Sequence, residues 1–448
     1  MAVNAGARLD RLPLSSFHRR ILLLIGVGMF FDGFDVYVAA TVLGATLKTG
    51  FSSLSQNAQF VSATFVGMML GSFITGFLGD RYGRRFTYQA NLIIFGLASV
   101  AGAFAPSMPV LIALRGVMGL GLGAELVVGY AAMTEFVPPQ ARGKWVGTLS
   151  VFVVTSLPVS ALASTVIIPR SSWRAMFVLA GLGGLIVWYL RKALPESPRW
   201  LESIGRAAEA EAIMKSIEEE VAREHGALPP PIMLAQTPRT RAWTALLSPA
   251  LFPRLAVGMV TLIVANTLIY GFVTWLPTFF IAEGRSIARS FLYSFIMSAG
   301  APVGSAIGAL TADSWGRKPM IIGASLMTIG IGGIYPFVQN PAALLAVGFL
   351  LVVSIYVQVT LLFAIYIPEL FPTDVRMRAA GICNTAGRGA TMVTPFFVVA
   401  LLGAHGIGGV LAMITGLLMA QIVVVLLFGV EPRNLRLEEM DSDPALVP

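Results

Sequence analysis

The chain is dominated by apolar stretches long enough to cross a lipid bilayer. A helix needs about 20 apolar residues to span the hydrocarbon core, and the 448-residue sequence contains about twelve such windows. With 56% hydrophobic and only 12% charged residues, the composition is that of an integral membrane protein. The predicted spans are 20–46, 57–78, 86–105, 108–134, 144–168, 172–193, 254–281, 287–311, 320–338, 341–367, 379–403 and 406–430.

One long polar stretch divides the predicted spans into two sets of six. We expect an N-terminal half over 1–193, a cytoplasmic linker over 194–253, a C-terminal half over 254–430 and a cytoplasmic tail over 431–448. Within the linker, the charged pattern from Ala207 to Glu224 predicts a surface helix. The sequence therefore predicts an all-α membrane protein of twelve helices.

The charges predict the orientation in the membrane. The 31 Lys+Arg exceed the 23 Asp+Glu, and most basic residues lie in short loops on the side of the N-terminus. The positive-inside rule then places both termini in the cytoplasm, with the chain in the cell (inner) membrane. Because the basic residues lie in loops between spans, we expect contact with lipid and not with nucleic acid. The first span is too long for a signal-peptide core, and we expect it to be retained.

Two motifs occur twice at almost the same interval. Glu135 to Arg142 and Glu369 to Arg376 both read E-x-x-P-x-x-x-R, while Gly79 to Arg85 is repeated in degenerate form at Ala312 to Lys318. A parallel repeat of six-span halves predicts a binding site at their interface, near the bilayer midplane.

These motifs resemble those of the major facilitator superfamily over nearly the whole chain. The run from Gly76 to Arg85 is similar to the superfamily's motif between spans two and three, and its second copy departs from it at Ala309 and Ser314. The run from Pro195 to Leu201 is similar to the sugar-porter and metabolite-porter branches. The resemblance implies two pseudo-symmetric six-helix halves that work by alternating access, and we expect a monomer.

The charged residues of these motifs are candidates for a cytoplasmic gate. Arg/Glu pairs can join the two halves and must break when the inside opens; alternatively, the arginines only anchor loops to anionic headgroups. The candidates are Asp80, Arg81, Arg84, Arg85, Glu135, Arg142, Glu196, Arg199, Asp313, Arg317, Glu369 and Arg376.

Three acidic residues inside predicted spans are candidates for proton coupling. Asp35, Asp32 and Glu125 are costly to insert into lipid, which makes each a functional hypothesis. We prefer Asp35 as the proton site; Asp32 has an equally good local interpretation as a capping or packing residue. Glu125 is a second proton site, a partner of Arg388 or a permanently protonated acid. Arg115 is expected to stabilise its span, with Asp32 or Asp35 as a possible partner.

Arg388 is the candidate anion-binding residue. It lies between two glycines of span eleven, and its guanidinium fork suits a carboxylate. Asn384 lies one turn away on the same face. The alternative is an internal salt bridge of Arg388 with Glu125 or Asp35. Further candidates for substrate contact are Tyr270, Trp275, Tyr356, Gln358 and Asn266.

The motifs around Asp32, Glu125, Tyr270 and Arg388 are similar to those of aromatic-acid:proton symporters and niacin-type porters. Leu126 stands where several of those relatives have a proline. The resemblance implies proton-coupled symport of a small organic, aromatic carboxylate, with the proton gradient as energy source and no cofactor.

Two other functions stay open: a sugar or polyol symporter, and a transporter-like receptor. No phosphate-binding loop, metal-ligand cluster or nucleophile motif is present in the sequence, and the single Cys383 allows no intrachain disulfide. We therefore expect no enzymatic activity and no metal site.

Overall fold

The computed structural model describes residues 3–231, 243–276, 293 and 295–432. This part of the chain is helical, with α-helices joined by short 3-10 turns and irregular segments and no β-strand. Four predicted segments lie wholly or partly outside the described residues: the end of span seven from 277 to 281, the start of span eight, the linker from 232 to 242 and most of the tail. The membrane-crossing helices are α1 (Ser16–Lys48), α2 (Leu54–Tyr82), α3 (Arg84–Ala103), α4 (Met108–Phe136), α5 (Arg142–Arg170), α6 (Arg174–Leu190), α7 (Phe252–Gly271), α8 (Gly300–Trp315), α9 (Arg317–Ile334) and α10 (Pro341–Val359).

Spans eleven and twelve are joined without a loop. A continuous helix covers Arg376–Phe428, and its 53 residues would reach roughly 80 Å, far more than one membrane thickness. Gly406 interrupts it with φ of 61° and ψ of −158°. We therefore treat 376–405 as α11 and 407–428 as α12. With α11 counted beside the eleven helices that are long and apolar enough to span a membrane, the described residues contain the predicted twelve spans.

The repeated glycine motifs form the same sharp junction in both halves. Gly83, with φ of 95°, ends α2 and begins α3, and Gly316, with φ of 92°, does the same between α8 and α9. This backbone conformation is essentially restricted to glycine. The predicted loops thus consist of a single residue, because the charged motif continues the helices on both sides.

The two halves pack backbone to backbone on the side of the membrane where the linker emerges, which we call the linker face. A Cβ atom at Gly76 of α2 would lie 2.8 Å from the carbonyl oxygen of Met377 in α11. Similarly, a Cβ at Gly147 of α5 would lie 2.8 Å from Cα of Ala309 in α8. Glycine at these positions therefore permits the close helix approach that seals this face.

Three shorter helices cover the linker face. The predicted surface helix is present as Ala207–His225, preceded by a short helix at Pro198–Ser203. An N-terminal helix, Ala5–Asp10, was not predicted and packs against both. These helices lie next to the candidate gate residues.

The outer surface of the bundle matches a lipid environment. Large apolar side chains point outward along the spans, for example Leu162, Ile186 and Phe396. Backbone polar groups in these segments are satisfied within the helices, as hydrocarbon requires.

Candidate functional site

Arg388 lies on α11 at the interface of the two halves. Its side chain is buried, and Nη1 donates a hydrogen bond of 3.1 Å to the hydroxyl of Tyr270 on α7. The Nε–H has no hydrogen-bond partner, and no carboxylate of the described residues forms an ion pair with this guanidinium. Of the two sequence-based alternatives, the internal salt bridge is therefore absent from this arrangement.

Aromatic residues from four helices surround Arg388. Tyr270 packs edge-to-face against Phe65 of α2, with ring centroids 4.9 Å apart. The hydroxyls of Tyr37 in α1 and Tyr356 in α10 are hydrogen-bonded to each other, and Arg388 lies within electrostatic range of Tyr37. The hydrogen bond between the tyrosines joins the two halves, so the predicted Tyr270 and Tyr356 do meet beside Arg388.

Two asparagines flank the arginine. Asn384 donates its side-chain N–H to the carbonyl of Ala380 at 2.9 Å, one turn before Arg388. A Cβ at Gly387 would lie 2.4 Å from Nδ2 of Asn266, so the Asn266 amide packs directly on the glycine next to Arg388. The Oδ1 atom of Asn266 is buried without a hydrogen-bond partner and is therefore an available acceptor.

The other two predicted substrate residues have different surroundings. Both polar atoms of Gln358 are engaged within the C-terminal half: Oε1 accepts from Ser325 and Gln421, and Nε2 donates to Thr328. Trp275 lies in the 3-10 turn after α7, and no described contact joins it to Arg388.

Asp35 is paired with Arg115 inside the N-terminal half. The two side chains form a buried ion pair, and Ser99 of α3 donates a hydrogen bond of 3.3 Å to the same carboxylate. Arg115 also donates to the hydroxyl of Thr64 at 2.9 Å. The expected pairing of Arg115 with one of the two aspartates is confirmed, and it selects Asp35.

Glu125 pairs with Arg191, not with Arg388. The ion pair measures 2.5 Å, and Arg191 also donates to the carbonyls of Leu24 and Ile25 in α1. The suggested Glu125–Arg388 partnership is therefore wrong for this arrangement. The reason is that Arg191, which lies near the end of predicted span six, is fully buried and lies next to Glu125.

Asp32 differs from both other acids because it has no direct partner. Asp32 is 4% exposed, and neither carboxylate oxygen accepts a hydrogen bond from any residue that the structure describes. Glu125, Arg191 and Asp35 lie close enough to interact with it electrostatically. The acids thus form two neighbouring groups along α1, one around Arg115 and one around Arg191.

On the linker face, polar bonds between described residues cross from one half to the other at several places, including the bond of 3.0 Å that Arg84 Nη2 donates to the carbonyl oxygen of Thr373. Arg376 at the start of α11 binds Glu135 at 2.9 Å, and Arg378 binds Asp80 at 2.7 Å. In a further contact, the carboxylate of Asp313 in α8 of the C-terminal half accepts hydrogen bonds of 2.8 and 2.7 Å from the backbone N–H groups of Gly143 and Lys144 in the N-terminal half. These bonds must break for the linker face to open.

Bonds within each half hold the crossing residues in position. Arg84 binds Glu135 at 2.7 Å, and its repeat counterpart Arg317 binds Glu369 at 2.8 Å. Arg199 donates Nε to the carbonyl oxygen of Glu135 at 2.9 Å.

A carboxylate caps the helix after each glycine junction. Glu196 accepts from the backbone N–H groups of Arg84 and Arg85, and Glu431 does the same for Arg317 and Lys318. Glu196 lies outside the spans, and burial raises its pKa.

Three gate candidates remain: Arg142 pairs with Asp10 at 3.5 Å, and Arg81 and Arg85 have local contacts. The guanidinium of Arg81 lies over the ring of Tyr82, and Arg85 donates to the carbonyl of Lys192 at 2.9 Å.

Sequence reasoning missed several members of these groups. Tyr37 stands two positions after Asp35, and Arg378 stands two positions after Arg376, so both lie next to residues that the sequence marks as candidates. Arg191 and Asp10 carry no local signal, because their partners are distant in sequence.

The comparisons with known proteins agree with this architecture. Residues 21–443 match the family described as sugar (and other) transporter. The chain is 38% identical over 446 residues to the inner membrane metabolite transport protein YdjE of Escherichia coli, covering 98% of both chains. It is 30% identical to the niacin transporter NiaP of Acinetobacter baylyi, covering 97% of this chain and 99% of the relative. The solved proton:xylose symporter XylE superposes with a TM-score of 0.78 at 20% identity, covering 95% of this chain and 99% of XylE.

The fold of paired six-helix halves is that of the major facilitator superfamily. The family match and the relatives show that the protein is a membrane transporter and not an enzyme. Within that superfamily, the chain belongs to the sugar (and other) transporter family.

Proposed function

We propose that this protein is a proton-coupled symporter that takes a small aromatic carboxylate into the cell by alternating access. In this proposal the linker face is cytoplasmic, in accord with the excess of basic residues in its loops.

The observation that carries the proposal is the buried, uncompensated guanidinium of Arg388. An isolated charge in a low-dielectric site is costly unless an opposite charge joins it. Within the described residues, the Arg388 guanidinium has one hydrogen bond, to a tyrosine hydroxyl, and a free Nε–H. A substrate carboxylate bound by the fork would supply the missing counter-charge.

Seven other buried arginines of the described residues have carboxylate partners. This contrast separates Arg388 from residues that serve the architecture or the gate. The paired arginines are Arg84, Arg115, Arg142, Arg191, Arg199, Arg317 and Arg376.

The surroundings of Arg388 suit an aromatic ring attached to the carboxylate. Tyr37, Tyr270 and Tyr356 offer ring faces and edges from three helices. The free Oδ1 of Asn266 would accept a hydrogen bond from a ring N–H or hydroxyl substituent. Gln358 is assigned to the internal network of its own half and not to the substrate.

The proton is assigned to the acids of α1 and α4. A proton on Asp35 would neutralise the carboxylate that holds Arg115 and so break a buried ion pair. Because Tyr37 lies two residues farther along α1, a movement of Asp35 would reach the substrate-binding tyrosines directly. Asp32 and the Glu125–Arg191 pair form the second group; a neutral Asp32 would avoid an unpaired buried charge.

The relatives support the broader part of the proposal, which is transport of a small metabolite by a membrane protein. NiaP is a niacin transporter by name, and XylE a proton:xylose symporter. The family name and XylE favour the second candidate, a sugar symporter. Its weakness is that a neutral sugar would leave Arg388 without a counter-charge.

Uptake into proteoliposomes tests the two candidates. Labelled nicotinate, benzoate and hexose are offered with and without an inward proton gradient. We expect gradient-driven accumulation of a carboxylate and none of hexose. Accumulation of hexose without any carboxylate would contradict the proposal.

A further inference from the structure

The N-terminal helix Ala5–Asp10 is clamped at both ends by the short helix Pro198–Ser203. Glu202 accepts hydrogen bonds of 2.6 Å from the backbone N–H groups of Asn4 and Ala5. At the other end, Asp10 binds Arg199 at 2.5 Å. Apolar side chains of the segment, including Leu9 and Leu12, are buried beneath the gate.

The carboxylate of Asp10 contacts two arginines of the gate. Besides Arg199, its Oδ1 atom lies 3.5 Å from Nη2 of Arg142, and all three side chains are buried. Arg199 holds the carbonyl of Glu135, whose carboxylate binds Arg376 of the other half.

Arg142 connects Asp10 to the second crossing point. It is the first residue of α5, directly before Gly143 and Lys144, whose N–H groups bind Asp313. Through Arg199 and Arg142, Asp10 is thus connected to two of the places where the halves are joined.

Comparison of the two copies of the internal repeat shows that the arginine of the first copy has a partner from outside the repeat. Arg142 and Arg376 are equivalent residues of the two E-x-x-P-x-x-x-R motifs. Arg376 pairs with Glu135 across the interface, whereas Arg142 pairs with Asp10 from outside the repeat. Arg142 and Arg199 also lie within electrostatic range of Arg376, so their charges oppose joining of the halves unless they are compensated.

We propose that Asp10 is a positioning residue of the gate, whose charge compensates Arg142 and Arg199 and thereby favours the state closed at the linker face. This inference does not depend on the substrate, because it concerns only the equilibrium between closed and open forms.

Double electron–electron resonance distances between the halves test it in substrate-free protein. Spin labels are attached at Gln140→Cys and Ser314→Cys, two exposed positions on opposite halves of the linker face. The buried Cys383 is replaced by alanine. Asp10→Asn should raise the ratio of open to closed form by about fivefold or more. Asp10→Glu should behave as wild type.

Two control variants separate the effect of the Asp10 charge on the gate from a general loosening of the N-terminal segment. Glu218→Gln removes the partner of Arg8 and Arg11, which also fastens the N-terminal segment but lies away from the gate. It should change the ratio by less than about twofold. Glu135→Gln is the positive control and should open the linker face.

A charge-balanced variant covers the case in which Asp10→Asn does not fold. Asp10→Asn combined with Arg142→Gln should fold and return towards the closed form. The inference is overturned if Glu135→Gln opens the face while Asp10→Asn does not. Equal opening by Glu218→Gln, or no return in the double variant, would also contradict it.

Discussion

Replacing Arg388 with glutamine tests the proposed anion site most directly. The free Nε–H and the adjacent Nη2–H form a fork that can donate to both oxygens of a carboxylate, while Nη1 donates to Tyr270. A hydrogen bond to a charged group contributes about 1.5–3 kcal/mol. Losing one such bond fully and the other in part should weaken binding at least about 100-fold, or about 2.7 kcal/mol.

The assay is equilibrium binding of labelled nicotinate and benzoate to purified protein, with thermal unfolding measured in parallel. Arg388→Lys keeps the charge but loses the fork, and should cost about tenfold in affinity. Arg388→Gln should not lower the melting temperature, because it removes a buried charge that has no carboxylate partner. This separates a binding role from a structural one.

Arg174→Gln is the matched control. The guanidinium of Arg174 lies over the ring of Trp173 at the start of α6. Its replacement shows whether the loss of any positive charge weakens binding. The reasoning would be refuted if Arg388→Gln bound carboxylates within about twofold of wild type. An equal loss in Arg174→Gln would refute it as well.

Three further predictions concern the proton, the junctions and pH. Asp35→Asn should abolish accumulation driven by a proton gradient while retaining substrate counterflow in proteoliposomes; gradient-driven uptake in this variant would contradict the assignment. Gly83→Ala should destabilise the protein by about 1–3 kcal/mol through its positive φ, measured by thermal unfolding against Gly323→Ala, whose Cβ meets open space. Burial raises the pKa of Glu218, but hydrogen bonds from two N-terminal arginines outweigh this and lower it. Its contribution to docking of the N-terminal segment is therefore complete above the ordinary glutamate pKa and lost as pH falls through the lowered value. The protection factors of residues 3–12 against hydrogen exchange should fall on acidification, and less so in Glu218→Gln.

Arg115, Arg191 and Arg388 illustrate the limit of sequence reasoning. Arg115 and Arg388 were visible as basic residues within spans, each with more than one acceptable acidic partner, whereas no local signal in the sequence singled out Arg191. Each residue along a helix turns by about 100°, so small changes in helix rotation and depth decide which side chains meet. The structure pairs Asp35 with Arg115 and Glu125 with Arg191, and this leaves Arg388 uncompensated.

The sequence by itself determined the membrane class, the twelve spans, the two-fold repeat and the gate motifs. These depend on local properties: hydrophobic length, glycine conformation and the spacing of charges. Only the tertiary structure decided which buried charges are compensated, that Asp10 reaches Arg142 and Arg199, and that Tyr37 meets Tyr356. Such contacts join helices far apart in sequence, and they depend on how the helices pack.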